Sequence, residues 1–298
     1  MDAVAELVVD ARAMVGEGPS WDAQAGRLLW VDIQGRAVHV YDPVDDQDRV
    51  IPVACEPGTI VPRAGGGAVL ATDRGFAFLD LDTGALEFIV HPEAQHPRRR
   101  FNDGKCDPQG RFWAGTLLQD LDRPLAEWDA VGTLYRLDHD HTAVPVLRQL
   151  TVPNGLTWNP AGDTFYFIDS PTMRVDAFDF DAATGTLANR RLAVQIPTDV
   201  GLPDGMTADA KGMLWIAHFF GGQVSRWNPH TGELLGRIAV PGGHVTSCMF
   251  GGEHLDELYI TTARILLDEQ ALRDQPHAGG LFRVRPGVRG VPSFAYRG

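Results

Sequence analysis

Apolar residues along this chain come in short β-branched and aromatic runs separated by Gly, Asp, Asn and Pro. No long segment repeats its apolar positions at the 3.6-residue helical period. Only DEQALRDQP (268–276) is suited to a turn of helix. The runs are paired in a recurring register. EGPSWDAQAGRLLWVD (17–32) aligns with NDGKCDPQGRFWAGT (102–116), NGLTWNPAGDTFYFID (154–169) and DGMTADAKGMLWIAH (204–218). Each has a polar residue, an Asp or Asn five positions on, then a Gly and an aromatic, β-branched stretch. Asp/Asn and Gly take up tight turns while the flanking apolar residues extend, so each segment predicts a β-hairpin.

Further strand-like runs follow: AVHVYDP (37–43), FAFLDLDTG (76–84), TLYRLD (133–138), RVDAFDFD (174–181), QVSRWNP (223–229) and GLFRVRP (280–286). These six recur about every 49 residues. That suits a small antiparallel unit and is too short for half of a βαβ enzyme. All-strand repeats of this length cannot bury both faces alone and stack radially. The expectation is an all-β, six-bladed β-propeller with four-stranded antiparallel blades around a central channel, as one domain over residues 1–298. Ring closure would pair ELVVDARAM (6–14) with the C-terminal run. Trp21, Trp30, Trp113, Trp158 and Trp215 fall on strand positions and are expected to pack blade against blade.

Composition narrows the partners. The formal net charge of −13 argues against nucleic acid, which requires clustered Lys and Arg, and Arg98-Arg99-Arg100 is too short a cluster to reverse it. No apolar run reaches the roughly 20 residues that span a bilayer, and the N-terminus lacks the basic and apolar regions of a secretory signal. Cys55, Cys106 and Cys248 are odd in number and far apart, as expected of a cytoplasmic protein whose thiols pack as small hydrophobes. The acidic surface suits a soluble monomer or weak homo-oligomer.

Equivalent repeat positions converge at one end of a propeller channel. The slot five residues before each turn Asp/Asn holds Glu17, Asn102, Asn154 and Asp204. Two carboxylates facing each other there repel, and each loses hydration. One divalent cation relieves both costs. Oxygen-only ligands select a hard ion such as Ca²⁺, Mg²⁺ or Mn²⁺ and leave Zn²⁺ open. Each slot alone is ordinary turn chemistry; its recurrence in one register is what turns do not explain. Arg100, two residues before the axial Asn102, can reach the channel mouth. His218 and His244 are expected to be structural, and Asp103 to bond its own turn. LQDLDRPLAEWDAV (118–131) is longer than its hairpin needs and suits a rim lid.

GEGPSWD, RFNDGKCDPQGRFWAGT, VPNGLTWNPAGDTFYFIDS, NRR (189–191), LPDGMTADAKGMLWIAH, TSCMFGG, LYITTAR and the closing AGGLFRV together resemble the regucalcin/gluconolactonase family, from about Gly16 to the C-terminus. The resemblance implies a six-bladed propeller holding one divalent cation, Ca²⁺ or Zn²⁺ first and Mn²⁺, Mg²⁺ or Fe²⁺ otherwise. It further implies hydrolysis of small sugar lactones, the aldonolactones. Carried over by motif, Glu17, Asn154 and Asp204 would be the metal ligands, with Asp204 also the candidate general base. Arg100 and Asn102 would bind substrate hydroxyls. Asp120 aligns with a lid residue that is often Glu in the family, and its shorter side chain bears on sugar contact.

A lactone is an activated ester, so a metal-bound carboxylate is an adequate base for its hydrolysis. No GxSxG or cysteine nucleophile motif competes with this reading. Two alternatives share the fold: a calcium-binding interaction propeller with a structural ion, and a metal-dependent esterase or organophosphate hydrolase, which an apolar pocket would favour.

Overall fold

The computed structural model describes residues 2–298. Its strands form six sheets, each with a four-stranded antiparallel blade, ordered in sequence around a ring. The first blade runs Gly16–Asp22, Arg27–Asp32, Ala37–Asp42, Gln47–Pro52, and the next four repeat the plan. The six runs read from the sequence are the third strands: Ala37–Asp42, Gly75–Leu79, Gly132–Leu137, Arg174–Asp181, Gln223–Asn228 and Leu281–Val284. DEQALRDQP contributes the helix Glu269–Asp274, whose first turn is capped where the Asp268 carboxylate accepts from Ala271 N–H at 2.8 Å. No helix among the described residues is long and apolar enough to cross a membrane.

Closure follows the expected pairing and adds to it. Glu6–Val9 is the outer strand of the sixth blade, antiparallel to Leu281–Val284. Asp2–Val4 runs parallel to Glu233–Ala239 as a fifth strand on the fifth blade. The last residues lace the opposite face of the ring. Gly290 N–H donates to Leu255 O, Ala210 N–H to Arg289 O, Arg297 N–H to Gly110 O and Ala64 N–H to Tyr296 O. The Tyr296 ring is fully buried, and its hydroxyl donates to Asp138 O at 2.7 Å.

The hydrophobic core is divided rather than central. Six apolar clusters lie one between each pair of neighbouring blades, from Leu29, Val38, Ile60 and Leu70 between the first two to Trp21, Tyr41 and Tyr259 between the last and the first. All five strand tryptophans lie in these layers or against them. Trp113 and Trp215 are anchored by their own hairpins, donating Nε1–H to Asp107 at 3.0 Å and Asp209 at 3.1 Å. Because burial is satisfied between blades, the axis is left for polar groups.

One irregularity recurs in all six blades. Pairing of the inner strand with its neighbour slips once: between Glu17 and Ser20, Pro57 and Thr59, Phe101 and Gly104, Pro153 and Leu156, Pro203 and Met206, and Val245 and Ser247. A bulge adds a residue to one strand and re-aims its side chain. Asn102, Asn154, Asp204 and Thr246 lie inside these slips. Glu17 stands at the edge of its own, next to Gly18 at φ +55°.

Candidate functional site

The bulges bring all four slot residues to one cavity of about 390 Å³ at the channel mouth, which Glu17, Asn102, Asn154 and Asp204 line together with Arg100. A hydrogen-bond chain fixes the amides of its floor. Asn102 Nδ2 donates to Asn154 Oδ1 at 2.7 Å and to Pro153 O at 3.0 Å. Asn154 Nδ2 donates to Ser170 Oγ at 2.8 Å, and that hydroxyl donates on to Pro203 O at 2.6 Å. Asn154 is thereby oriented with its carbonyl oxygen toward Asn102, and that oxygen keeps a second lone pair. Arg100 Nη1 donates to Asn102 Oδ1 at 2.9 Å, while its Nε donates to Gln119 Oε1 at 3.2 Å.

The carboxylates are poorly provided for. Glu17 is buried and accepts from Gly18 N–H at 2.9 Å. Burial and then the charge of Asp103 push its carboxyl up to about 8. Asp204 is buried with Oδ1 lacking any partner among the described residues. Burial, then Glu17 and Asp103, raises it well above the usual carboxylate range. Asp103 accepts from Gly104 N–H at 2.7 Å and is itself raised by burial, with Lys105 opposing. Lys105 Nζ donates to Met206 O at 2.7 Å deeper in the channel.

Among the described residues no three His, Cys, Asp or Glu side chains form a metal cluster. The donors here are instead two carboxylates and a carboxamide. They suit a hard divalent cation: the lone Asp204 oxygen has no hydrogen-bond donor, and positive charge at that point would reverse the shift on both acids.

Above the floor the wall is mostly apolar, with Gln34, Gln119 and Arg123 among its residues. The 118–131 insertion contributes Leu121, Leu125 and Trp128, and the fifth and sixth blades contribute Phe219, Phe220 and Leu266. The insertion braces itself around Arg123, whose Nε donates to Asp120 Oδ2 at 2.8 Å and Nη2 to Asp129 Oδ2 at 3.2 Å. Trp128 Nε1–H donates to Arg123 O at 3.1 Å. Asp120 is not among the residues lining the cavity; its carboxylate faces Arg123, which is.

Residues 15–264 match the SMP-30/gluconolactonase/LRE-like region. The chain belongs to this family. Regucalcin of Danio rerio is 40% identical over 98% of both chains. YvrE of Bacillus subtilis, a sugar lactone lactonase by name, is 38% identical over the whole of this chain and 99% of its own. Among solved structures, the calcium-binding protein regucalcin of Agrobacterium tumefaciens superposes with a TM-score of 0.92 at 27% identity, covering all of this chain and 98% of that one.

In this family member the structure brings together Glu17, Arg100, Asn102, Asn154 and Asp204, and sets Asp120 one contact away. Sequence reading missed Ser170, Gln119 and the apolar wall. Ser170 follows the strand Thr164–Asp169, outside the hairpin register that marks the slots. Phe219, Phe220 and Leu266 belong to loops and strand ends with no repeat to align them. His218 and His244 are both buried; His218 Nε2 meets Ser225 Oγ at 2.5 Å, while His218 Nδ1 and His244 Nε2 have no partner among the described residues.

Proposed function

We propose that this protein is a divalent-cation-dependent lactonase that opens sugar lactones such as glucono-, galactono- or xylonolactone to aldonic acids. The carrying observation is the buried, unpartnered Asp204 oxygen beside a Glu17 carboxyl pushed up to about 8. Such a floor is costly to fold and suits a bound cation. Relatives named regucalcin and sugar lactone lactonase, with a calcium-binding protein among the similar structures, point the same way.

Glu17, Asn154 and Asp204 would hold the ion, Ca²⁺ or Zn²⁺ first. A cation bound there supplies neutralising charge and Lewis-acid polarisation of an ester carbonyl. The remaining work falls to the chain. Arg100, held in place by Gln119, donates to ring hydroxyls, and Asn102, whose two amide N–H are taken by Asn154 and Pro153, accepts from one through Oδ1. Asp204, beside the ion, accepts the proton of the attacking water. The water oxygen bonds to the carbonyl carbon, the ring C–O bond breaks, and the departing oxygen takes up a proton to give the hydroxy acid. Asp120 is a positioning residue that holds Arg123 at the cavity wall. We place the activity in the cytoplasm, because Cys55, Cys106 and Cys248 are buried free thiols.

The test is lactone hydrolysis followed by a pH indicator after chelation, then after adding back Ca²⁺, Zn²⁺, Mn²⁺, Mg²⁺ and Fe²⁺ singly. Activity should vanish on chelation and return with at least one ion. Hydrolysis that survives full chelation contradicts the proposal. Cation binding without hydrolysis of any aldonolactone shifts the reading to a structural ion.

A further inference from the structure

We infer that the end of the channel opposite the cation site binds a small oxyanion of the phosphate class, held by Lys105 and the hydroxyls of Ser20, Thr157 and Thr207. The inference stands apart from the lactonase reading and concerns a second cavity. That cavity, of about 250 Å³, is lined by the hairpin turn 159–162, the C-terminal residues 290–294 and the inner strands. The register that gathers the slots at the mouth also builds this end. Three residues beyond Glu17, Asn102, Asn154 and Asp204, the inner strands carry Ser20, Lys105, Thr157 and Thr207, and all four line the cavity. A layer rich in acceptors at one end of the axis thus stands against a layer able to donate at the other.

No Asp or Glu lines this cavity, although the chain carries 39 acids against 26 Lys and Arg. Its one ammonium, Lys105 Nζ, gives one N–H to Met206 O at 2.7 Å and forms no ion pair among the described residues, which leaves two N–H to donate. Burial works against that charge; Asp103, whose carboxylate accepts from Gly104 N–H, opposes the effect through space. Ser20, Thr157 and Thr207 are buried, and their hydroxyls donate to no acceptor among the described residues. Trp158 lines the same cavity, and its Nε1–H is buried without a partner. Buried donors without acceptors are costly. An anion supplies the hydroxyls with acceptors and the ammonium with opposite charge. Donors set on four separate blades call for several oxygens around one centre, which phosphate and sulfate offer and a halide does not.

The test is calorimetric titration of the chelator-treated protein with sodium phosphate at pH 7 and low ionic strength, so that no cation at the mouth can take the phosphate. One phosphate should bind per chain with a Kd below about 1 mM. Sulfate should displace it, and chloride at the same concentration should not. The double variant Thr157→Val, Thr207→Val keeps the shape of both side chains and removes two donors. It should weaken phosphate binding at least about ten-fold. Lys105→Met should abolish binding, whereas Arg123→Gln, at the mouth cavity, should leave it unchanged. Thermal melts show that each variant is folded, and phosphate should raise the melting temperature of the parent more than that of the double variant.

A parent protein that binds no phosphate overturns the inference. So does an affinity unchanged in the double variant, or one lost in Arg123→Gln, which would assign the anion to the guanidinium groups at the mouth. Displacement by chloride as strong as that by sulfate makes the cavity a general counter-ion site and overturns the oxyanion class. Should Lys105→Met fail to fold, the double variant decides.

Discussion

The Glu17 carboxyl accepts one hydrogen bond, from Gly18 N–H, and lies buried near the charges of Asp103 and Asp204. Its ordinary value of 4.5 moves up to about 8 on folding. Between those values the cation-free folded protein holds more protons than the unfolded chain, so stability falls as pH rises through the window. Asp103 and Asp204 are raised as well and act with the same sign. Thermal melts of chelator-treated protein should therefore lose stability from about pH 5 to about pH 8, and a saturating cation should flatten that slope. Glu17→Gln removes one of the repelling charges. It should stabilise the cation-free protein at pH 8 by about 1–3 kcal/mol and weaken the response to cation. A variant no more stable than the parent would show that the carboxylate is better solvated than its surroundings indicate.

At the scale of the strand, the site depends on the bulge and on the glycines that let neighbouring inner strands approach. A Cβ on Gly205 would lie 2.7 Å from Ser247 Cα, which is backbone and cannot step aside. Gly205→Ala should destabilise by about 1–3 kcal/mol through overpacking, and it should displace Asp204, so cation affinity should fall with it; denaturant unfolding and a cation titration check both. The Asp/Asn and Gly hairpins made the slots Glu17, Asn102, Asn154 and Asp204 legible in the sequence, because one residue spacing is repeated in four blades. The other two inner strands carry Gly58 and Thr246 within their slips and lack that hairpin register, so they left no trace. Asp120 was legible only by alignment. Its contact with Arg123, three residues on, is set by how the insertion folds back on itself, which no periodicity encodes. The apolar wall was invisible for a similar reason: its residues meet only after the ring closes.

For the whole molecule, dividing the core among six interfaces leaves an axis with unlike ends. The candidate cation site occupies one end. At the other, about 250 Å³ is lined by Ser20, Lys105, Thr157 and Thr207, each three residues further along an inner strand than a slot residue, and by Met249, three beyond Thr246, and the C-terminal segment closes it. Tyr296 is the anchor of that closure, so Tyr296→Ala should cost about 3–5 kcal/mol, as for other buried aromatics. Loss of stability near zero on denaturant unfolding would mean that the segment is dispensable to the ring. The central claim concerns the opposite end and is tested most directly at Asp204. Cation binding by calorimetry should be measured alongside lactone hydrolysis in the parent, Asp204→Ala and Asn102→Ala. Asp204→Ala should lose both binding and hydrolysis, whereas Asn102→Ala should keep the cation and turn over more slowly. Full hydrolysis by Asp204→Ala would contradict the account.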